Sequence, residues 1–333
     1  MESALDGKRV LSGFRPTGLL HVGHLVGALN NWVQLQARYD CFFAICDWHA
    51  LTSEYAEPSS ISRYVREMAV DWLAIGLDPE RCTIFVQSAI KEHSELHLLL
   101  SMIVPLGWLE RVPTFKEQQQ EVANRDLHTY GFFGYPVLQT ADILAYKGNF
   151  VPVGEDQLSH LELAREIVRR FRHLYGPVFP EPQALVTPMA RLPGIDGRKM
   201  SKSYGNAIFL SDESESIRQK VFQMITDPQR KTRKDPGNPE VCPVFTFHNA
   251  FSSKEEVAMV DRECRTAGIG CRDCKGILNG NLLTALAPHR EKRQAVLDRK
   301  GFVEEILEHG AVKARKVAAA TLAEVREVMG VAP

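Results

Sequence analysis

The 333-residue chain has 44% hydrophobic and 24% charged residues, a formal net charge of −1 and seven cysteines. That balance is ordinary for a globular protein, and it excludes a disordered chain and one drawn to nucleic acid by bulk charge. The longest apolar stretch, "LHLLLSMIVPLGWL", is broken by Ser101, Pro105 and Gly107, too short for a membrane span, and "MESALDGKRV" does not read as a leader, so a cytoplasmic location is expected. In a reducing compartment, clustered cysteines bind metal or do redox chemistry more often than they form structural disulfides.

In chain order, "RVLSGF" (9–14), "CFFAICDW" (41–48), "TIFVQS" (83–88) and "FVPVG" (150–154) read as buried strands. Between the second and third, Ile61, Tyr64, Met68, Trp72 and Ile75 recur at helical spacing, and Gly76 and Pro79 mark the stop. After the fourth, Leu158, Leu161, Ile167 and Phe171 define another helix face. Alternating strands and helices predict an α/β fold with a Rossmann-like doubly wound parallel sheet over residues 1–212. From 213 to 333 "SESIRQKVFQMI", "SKEEVAMVDREC", "NGNLLTALAPHREKRQAVLDR" and "GAVKARKVAAATLAEVREVM" predict an α-helical domain. The basic runs at 228–236, 288–294 and 312–316 read alone as solvated surface.

Two motifs carry chemistry. "SGFRPTGLLHVGHLVGAL" (12–29) lies at the end of the first strand and opens a helix, where ligands bind in open α/β sheets. His21 and His24 share the first helical turn, where free backbone N–H groups and the helix dipole favour phosphate. G-x-G-x-x-G is absent, so this is not a dinucleotide fingerprint. "DGRKMSKSYGN" (196–206) places Lys199 and Lys202 between glycines, a loop suited to closing on a triphosphate and its pyrophosphate leaving group.

Together, "HVGH" (21–24) and "KMSKS" (199–203) resemble the paired signatures of the class I aminoacyl-tRNA synthetases. With "CDWHALT" (46–52), "YPVLQTADIL" (135–144) and "VPVGEDQLSHLELARE" (151–166), the chain resembles the bacterial tryptophanyl-tRNA synthetases over nearly its full length. The resemblance implies an enzyme that joins L-tryptophan to tRNA(Trp) with ATP and Mg²⁺, acting as a homodimer, with the helical domain reading the anticodon. It implies catalytic roles for His21, His24, Lys199 and Lys202. For ATP it implies Arg15, Pro16, Thr17, Gly18, Gly23, His24, Gly154, Glu155, Asp156, Leu192, Lys199, Met200, Ser201, Lys202 and Ser203. For tryptophan it implies Leu11, His49, Tyr135, Gln139, Asp142 and Gln157.

Indole N–H only donates, so a tryptophan slot needs one buried acceptor, the role that falls to Asp142. The tyrosyl enzymes, the alternative, usually place a tyrosine where this chain has Leu11, which leaves a phenol oxygen half-satisfied. His49 reads equally as a satisfied histidine at a strand end. Arg15 and His24 stand where many relatives have glutamine and asparagine, and Lys116 receives no role. A regulatory RNA-binding paralogue would need neither signature, and a nucleotidyltransferase outside translation would not need a tRNA-reading helical domain.

Cys242, Cys264, Cys271 and Cys274 form C-x21-C-x6-C-x2-C. Four sulfurs at this spacing fit a tetrahedral zinc or a [4Fe–4S] cluster. The resemblance favours the cluster, which one subgroup of the family carries at nearly this spacing. Cys41, Cys46 and Cys82 read as buried small hydrophobes.

Overall fold

A computed structural model describes residues 7–112, 127–154, 157–186, 192–201 and 204–331. They form one parallel five-stranded sheet of β1 (Arg9–Phe14), β2 (Asp40–Ile45), β3 (Cys82–Val86), β4 (Phe150–Val153) and β5 (Gln183–Val186) in the order β3-β2-β1-β4-β5. The order reverses between β1 and β4, so a crevice opens beyond their carboxyl ends, the general ligand site of such sheets.

The helices follow in chain order. α1 runs through Val22–His24, a π-helical segment Leu25–Leu29 and Asn30–Leu35. Then come α2 (Asp47–Glu54), α3 (Ile61–Ile75), α4 (Glu92–Ser101), α5 (Leu106–Glu110), α6 (Tyr130–Ala145) and α7 (Leu158–Tyr175). The last third holds α8 (Ser214–Gln223), α9 (Pro243–Phe251), α10 (Lys254–Arg265), α11 (Cys271–Asp298) and α12 (Phe302–Met329).

The strand alternation sorts two cores. Val10, Phe43, Ile45 and Ile84 face Trp32, Met68 and Trp72 on one side of the sheet. Leu11, Phe42, Ala44 and Phe85 face Leu144, Ile167 and Phe171 on the other. The C-terminal helices return to both faces: Leu278, Leu282 and Leu286 of α11 join the first core, and Ala314, Ala318 and Leu322 of α12 join the second. Arg293 of α11 pairs with Glu67 and with the fully buried Asp71 of α3, tying the helical segment to the sheet's cover.

Four local features depart from the sequence reading. The second strand stops at Ile45 and Asp47–Glu54 turns helical, because Asp47 is an acidic first-turn residue that the continuous apolar run concealed. β5 escaped the sequence reading because its four half-exposed residues carry no strong pattern. Helix α11 starts at Cys271 rather than near residue 279, and α9 was not foreseen. By contrast α3 ends as expected, with Gly76 in the left-handed region at φ 105°.

Candidate active site

Beyond β1 and β4 lies a cavity of about 380 Å³. Its wall includes Leu11, Arg15, Gly23, His24, His49, Tyr135, Gln139, Asp142, Gly154 and Gln157, so ten residues singled out from the sequence meet in one place. β1 supplies Leu11 and leads into Arg15, α1 supplies Gly23 and His24, and α2 supplies His49. Tyr135, Gln139 and Asp142 line up along α6, and Gln157 precedes α7. The π-helical turn after "HVGH" adds Gly27 and Ala28 to the wall, a local departure frequent at functional sites. Gly13 is required at the end of β1, because a Cβ there would stand 2.5 Å from the Ala44 carbonyl oxygen and 2.7 Å from Cys46 Sγ.

At the phosphate-suited end, His24 Nδ1 accepts a hydrogen bond from the His21 backbone N–H at 3.1 Å. His21 is buried, and Pro16, Thr17 and Gly18 form the turn before it, with Thr17 N–H donating to the Arg15 carbonyl at 2.9 Å. Leu192 and Met200 are buried beside this region; a Cβ on Gly23 would lie 3.7 Å from Met200 Sδ, which brings the second motif against the first. Lys199 is exposed, and none of Leu192, Lys199, Met200 or Ser201 lines the cavity itself. Asn206, unassigned from the sequence, organises their loop: its Oδ1 accepts from Ser201 N–H at 2.8 Å, and its Nδ2 donates to the Lys199 carbonyl at 3.1 Å and to Asp196 Oδ1 at 2.7 Å. Glu155, Asp156, Lys202, Ser203 and Lys116 lie outside the described residues.

Elsewhere in the cavity wall Asp142 is 4% exposed. His49 Nε2 stands 2.9 Å from its Oδ2 and His93 Nδ1 2.8 Å from its Oδ1, while Gln87 Nε2 reaches both oxygens at 3.0 and 2.8 Å. Burial alone would raise the carboxyl pKa; His93 and then His49 outweigh it and hold the group well below the usual carboxylate range. Burial lowers the nearby His97 and pushes Cys46 and Tyr146 well up. Leu11, 5% exposed, presents hydrocarbon to the cavity. Gln87, His93 and Tyr146 were missed; the i, i+4 pair His93 and His97 in "HSELH" was the available signal.

The four clustered cysteines come from three helices. Cys242 precedes α9, Cys264 ends α10, and Cys271 and Cys274 occupy the first turn of α11. The thiols are free and half-buried. Cys274 is pushed up to about 12 by burial and then by Cys242, Cys264 and Cys271, so the four lie within electrostatic reach of one another. Cys264 Sγ is 3.8 Å from Arg230 Nη1, and a Cβ on Gly237 would stand 2.6 Å from that sulfur. Among the described residues no three His, Cys, Asp or Glu side chains already stand in a metal-holding arrangement. No helix among them is long and apolar enough to cross a membrane.

Known proteins place this site in context. The family described as tRNA synthetases class I (W and Y) matches residues 6–287. A tryptophan–tRNA ligase of Thermotoga maritima is 53% identical over 96% of this chain and 98% of its own. One of Aquifex aeolicus is 44% identical over 96% of this chain and 99% of its own. Among solved structures, tryptophanyl-tRNA synthetase from Campylobacter jejuni complexed with ADP and tryptophan superposes with a TM-score of 0.86 at 32% identity, covering 97% of this chain and 99% of that one. The chain belongs to the class I tRNA synthetases of the tryptophan and tyrosine family.

Proposed function

We propose that the chain is a tryptophan–tRNA ligase: it activates L-tryptophan with ATP, giving tryptophanyl-adenylate and pyrophosphate, and transfers tryptophan to tRNA(Trp). The observation that carries this reading is the buried Asp142 carboxylate in the wall of the same cavity as His24 and Arg15. The indole N–H donates to Asp142 while Leu11, Tyr135 and the wall of β4 enclose the ring. Gln139 and Gln157 hold the amino-acid moiety.

The tryptophan carboxylate oxygen attacks the α-phosphorus of ATP, and the bond to the pyrophosphate oxygen breaks. Arg15, the turn at Pro16–Gly18, Gly23 and Gly154 cradle the nucleotide, a role that Glu155 and Asp156 share. Leu192 meets the adenine, and the loop of Lys199, Met200, Ser201, Lys202 and Ser203 closes over the phosphates. Because His21 N–H donates to His24 Nδ1, the ring proton resides on Nε2, which donates to phosphate as negative charge builds. A terminal ribose hydroxyl of the tRNA then attacks the adenylate carbonyl carbon and AMP leaves. No side chain acts as a covalent nucleophile, so catalysis rests on positioning and charge stabilisation. The donors here are cations and N–H groups, a set that suits Mg²⁺ arriving on the ATP phosphates, whose charge it neutralises, with few protein ligands.

Residues 1–212 form the catalytic part, and 213–333 read the anticodon. The enzyme works in the cytoplasm as a homodimer. Cys242, Cys264, Cys271 and Cys274 hold a [4Fe–4S] cluster, with zinc the alternative. Their all-sulfur donor set, mutual proximity and neighbouring Arg230 support a group that carries net negative charge. The cluster supplies a structural cross-link between α9, α10 and α11.

Amino-acid-dependent ATP–pyrophosphate exchange tests the proposal. Exchange with tryptophan alone is expected; exchange with tyrosine keeps the class and overturns the substrate, and exchange with neither overturns the activity.

A further inference from the structure

Asp142 has about four lone-pair positions to offer; three hydrogen bonds from His49 and Gln87 already reach it, and His93 Nδ1 stands 2.8 Å from Oδ1. Only one of the donor side chains, His49, lines the cavity; Gln87 and His93 approach from behind. Gln87 cannot flip its amide freely, because its Oε1 accepts the His49 backbone N–H at 3.3 Å while its Nε2 faces the carboxylate. His93 is likewise fixed. It is fully buried, its Nε2 lies 2.6 Å from the Tyr146 hydroxyl, and Tyr146 is itself fully buried. With the Tyr146 O–H donating to Nε2, the Nδ1 side of His93 is left to face Asp142 as a donor.

We propose that Gln87, His93 and Tyr146 are positioning residues that set the rotation and charge of Asp142, and that His49 is the replaceable cap whose place the indole N–H takes. The proposal rests on the reading of Asp142 as the indole acceptor. A carboxylate gripped on one side cannot turn to follow a misplaced donor, so the slot rewards an N–H at one point of the ring. Burial of Tyr146, which pushes its hydroxyl well above the usual range, keeps that proton in place.

The test compares tryptophan with its benzothiophene isostere, β-(3-benzothienyl)alanine, in which sulfur replaces the indole N–H. ATP–pyrophosphate exchange by the full chain gives kcat/KM for each. The wild type is expected to favour tryptophan by about 10- to 100-fold, the worth of a hydrogen bond to a charged acceptor. His93→Leu and Gln87→Met are expected to erase most of that ratio through a higher tryptophan KM. The isostere and the ATP KM should change little. His93→Asn, whose amide N–H stands near the lost Nδ1–H, restores much of the ratio. Tyr146→Phe removes a single oxygen, disturbs folding least, and lowers the ratio about three- to tenfold on its own. A wild-type ratio preserved in Tyr146→Phe and in whichever of the other two variants fold overturns the positioning role. So does a fall in kcat that is equal for both substrates, which marks general damage. A wild type that does not discriminate overturns the Asp142 reading and this inference with it.

Discussion

The His21 backbone N–H donates to His24 Nδ1 at 3.1 Å, and the two rings stack with centroids 3.6 Å apart. One backbone bond thereby makes Nδ1 the acceptor and leaves the ring proton to Nε2. His24→Ala is expected to lower kcat for pyrophosphate exchange by about 10²- to 10³-fold, as for loss of one transition-state donor, with the tryptophan KM within about threefold of wild type. His24→Asn, which offers an oxygen to His21 and an amide N–H outward, should retain more activity than Ala. A dominant rise in tryptophan KM would place His24 in the wrong half of the cavity.

Asn206 is 2% exposed and joins Ser201, Lys199 and Asp196 through three hydrogen bonds. Asn206→Ala frees the loop that carries Lys199, so exchange is expected to slow by about 10- to 100-fold while tryptophan binding holds. Gly194→Ala should act the same way, since a Cβ there would overlap the Asn206 amide. Equilibrium tryptophan binding measured beside the exchange rate separates the two effects, and equal losses in both would refute the loop assignment.

Asp142 faces His49, His93 and His97, and its folded-state pKa is depressed. A depressed carboxylate stabilises the fold fully above its unfolded pKa of about 3.9, and that contribution fades as pH falls toward the folded value. The stability difference between wild type and Asp142→Asn should therefore shrink as pH falls below about 4. Urea titrations at each pH check this; a difference that grows on acidification would reverse the sign.

Gly310 of α12 lies against the backbone carbonyl of Ile84 in β3, where an added Cβ would overlap that oxygen. Backbone cannot step aside as a flexible side chain can. Gly310→Ala is expected to cost about 1–3 kcal/mol and Gly310→Val more. An unchanged denaturation midpoint for Gly310→Ala would mean that α12 is not held on the sheet edge.

For the cysteine site, protein purified without oxygen should contain about four iron and four labile sulfide per chain, and Cys271→Ser should lose them. Zinc without iron or sulfide would replace the cluster with a tetrahedral zinc. Neither metal would remove the site.

Much was legible from sequence alone. The cores of four strands, the helix at Ile61–Ile75 with its Gly76 stop and the two signature motifs declare themselves locally, while Asp142 was marked out by the family resemblance. Strand alternation, helical periodicity and turn residues report which face a residue occupies, and a motif carries its spacing with it. What local pattern does not carry is which faces meet. His93 reaches Asp142 only because α4 packs against α6, and Gln87 reaches it because the turn after β3 lies beside α2. β5 is a strand because β4 pairs with it, since its own four residues are too exposed to announce one. The return of α12 to β3 depends on Gly310 meeting a backbone more than 200 positions away. The kinds of residue at the site were therefore determined along the chain. Their partners, and with them the surroundings of Asp142, were decided by packing, because burial and hydrogen-bond distance exist only once the elements are assembled.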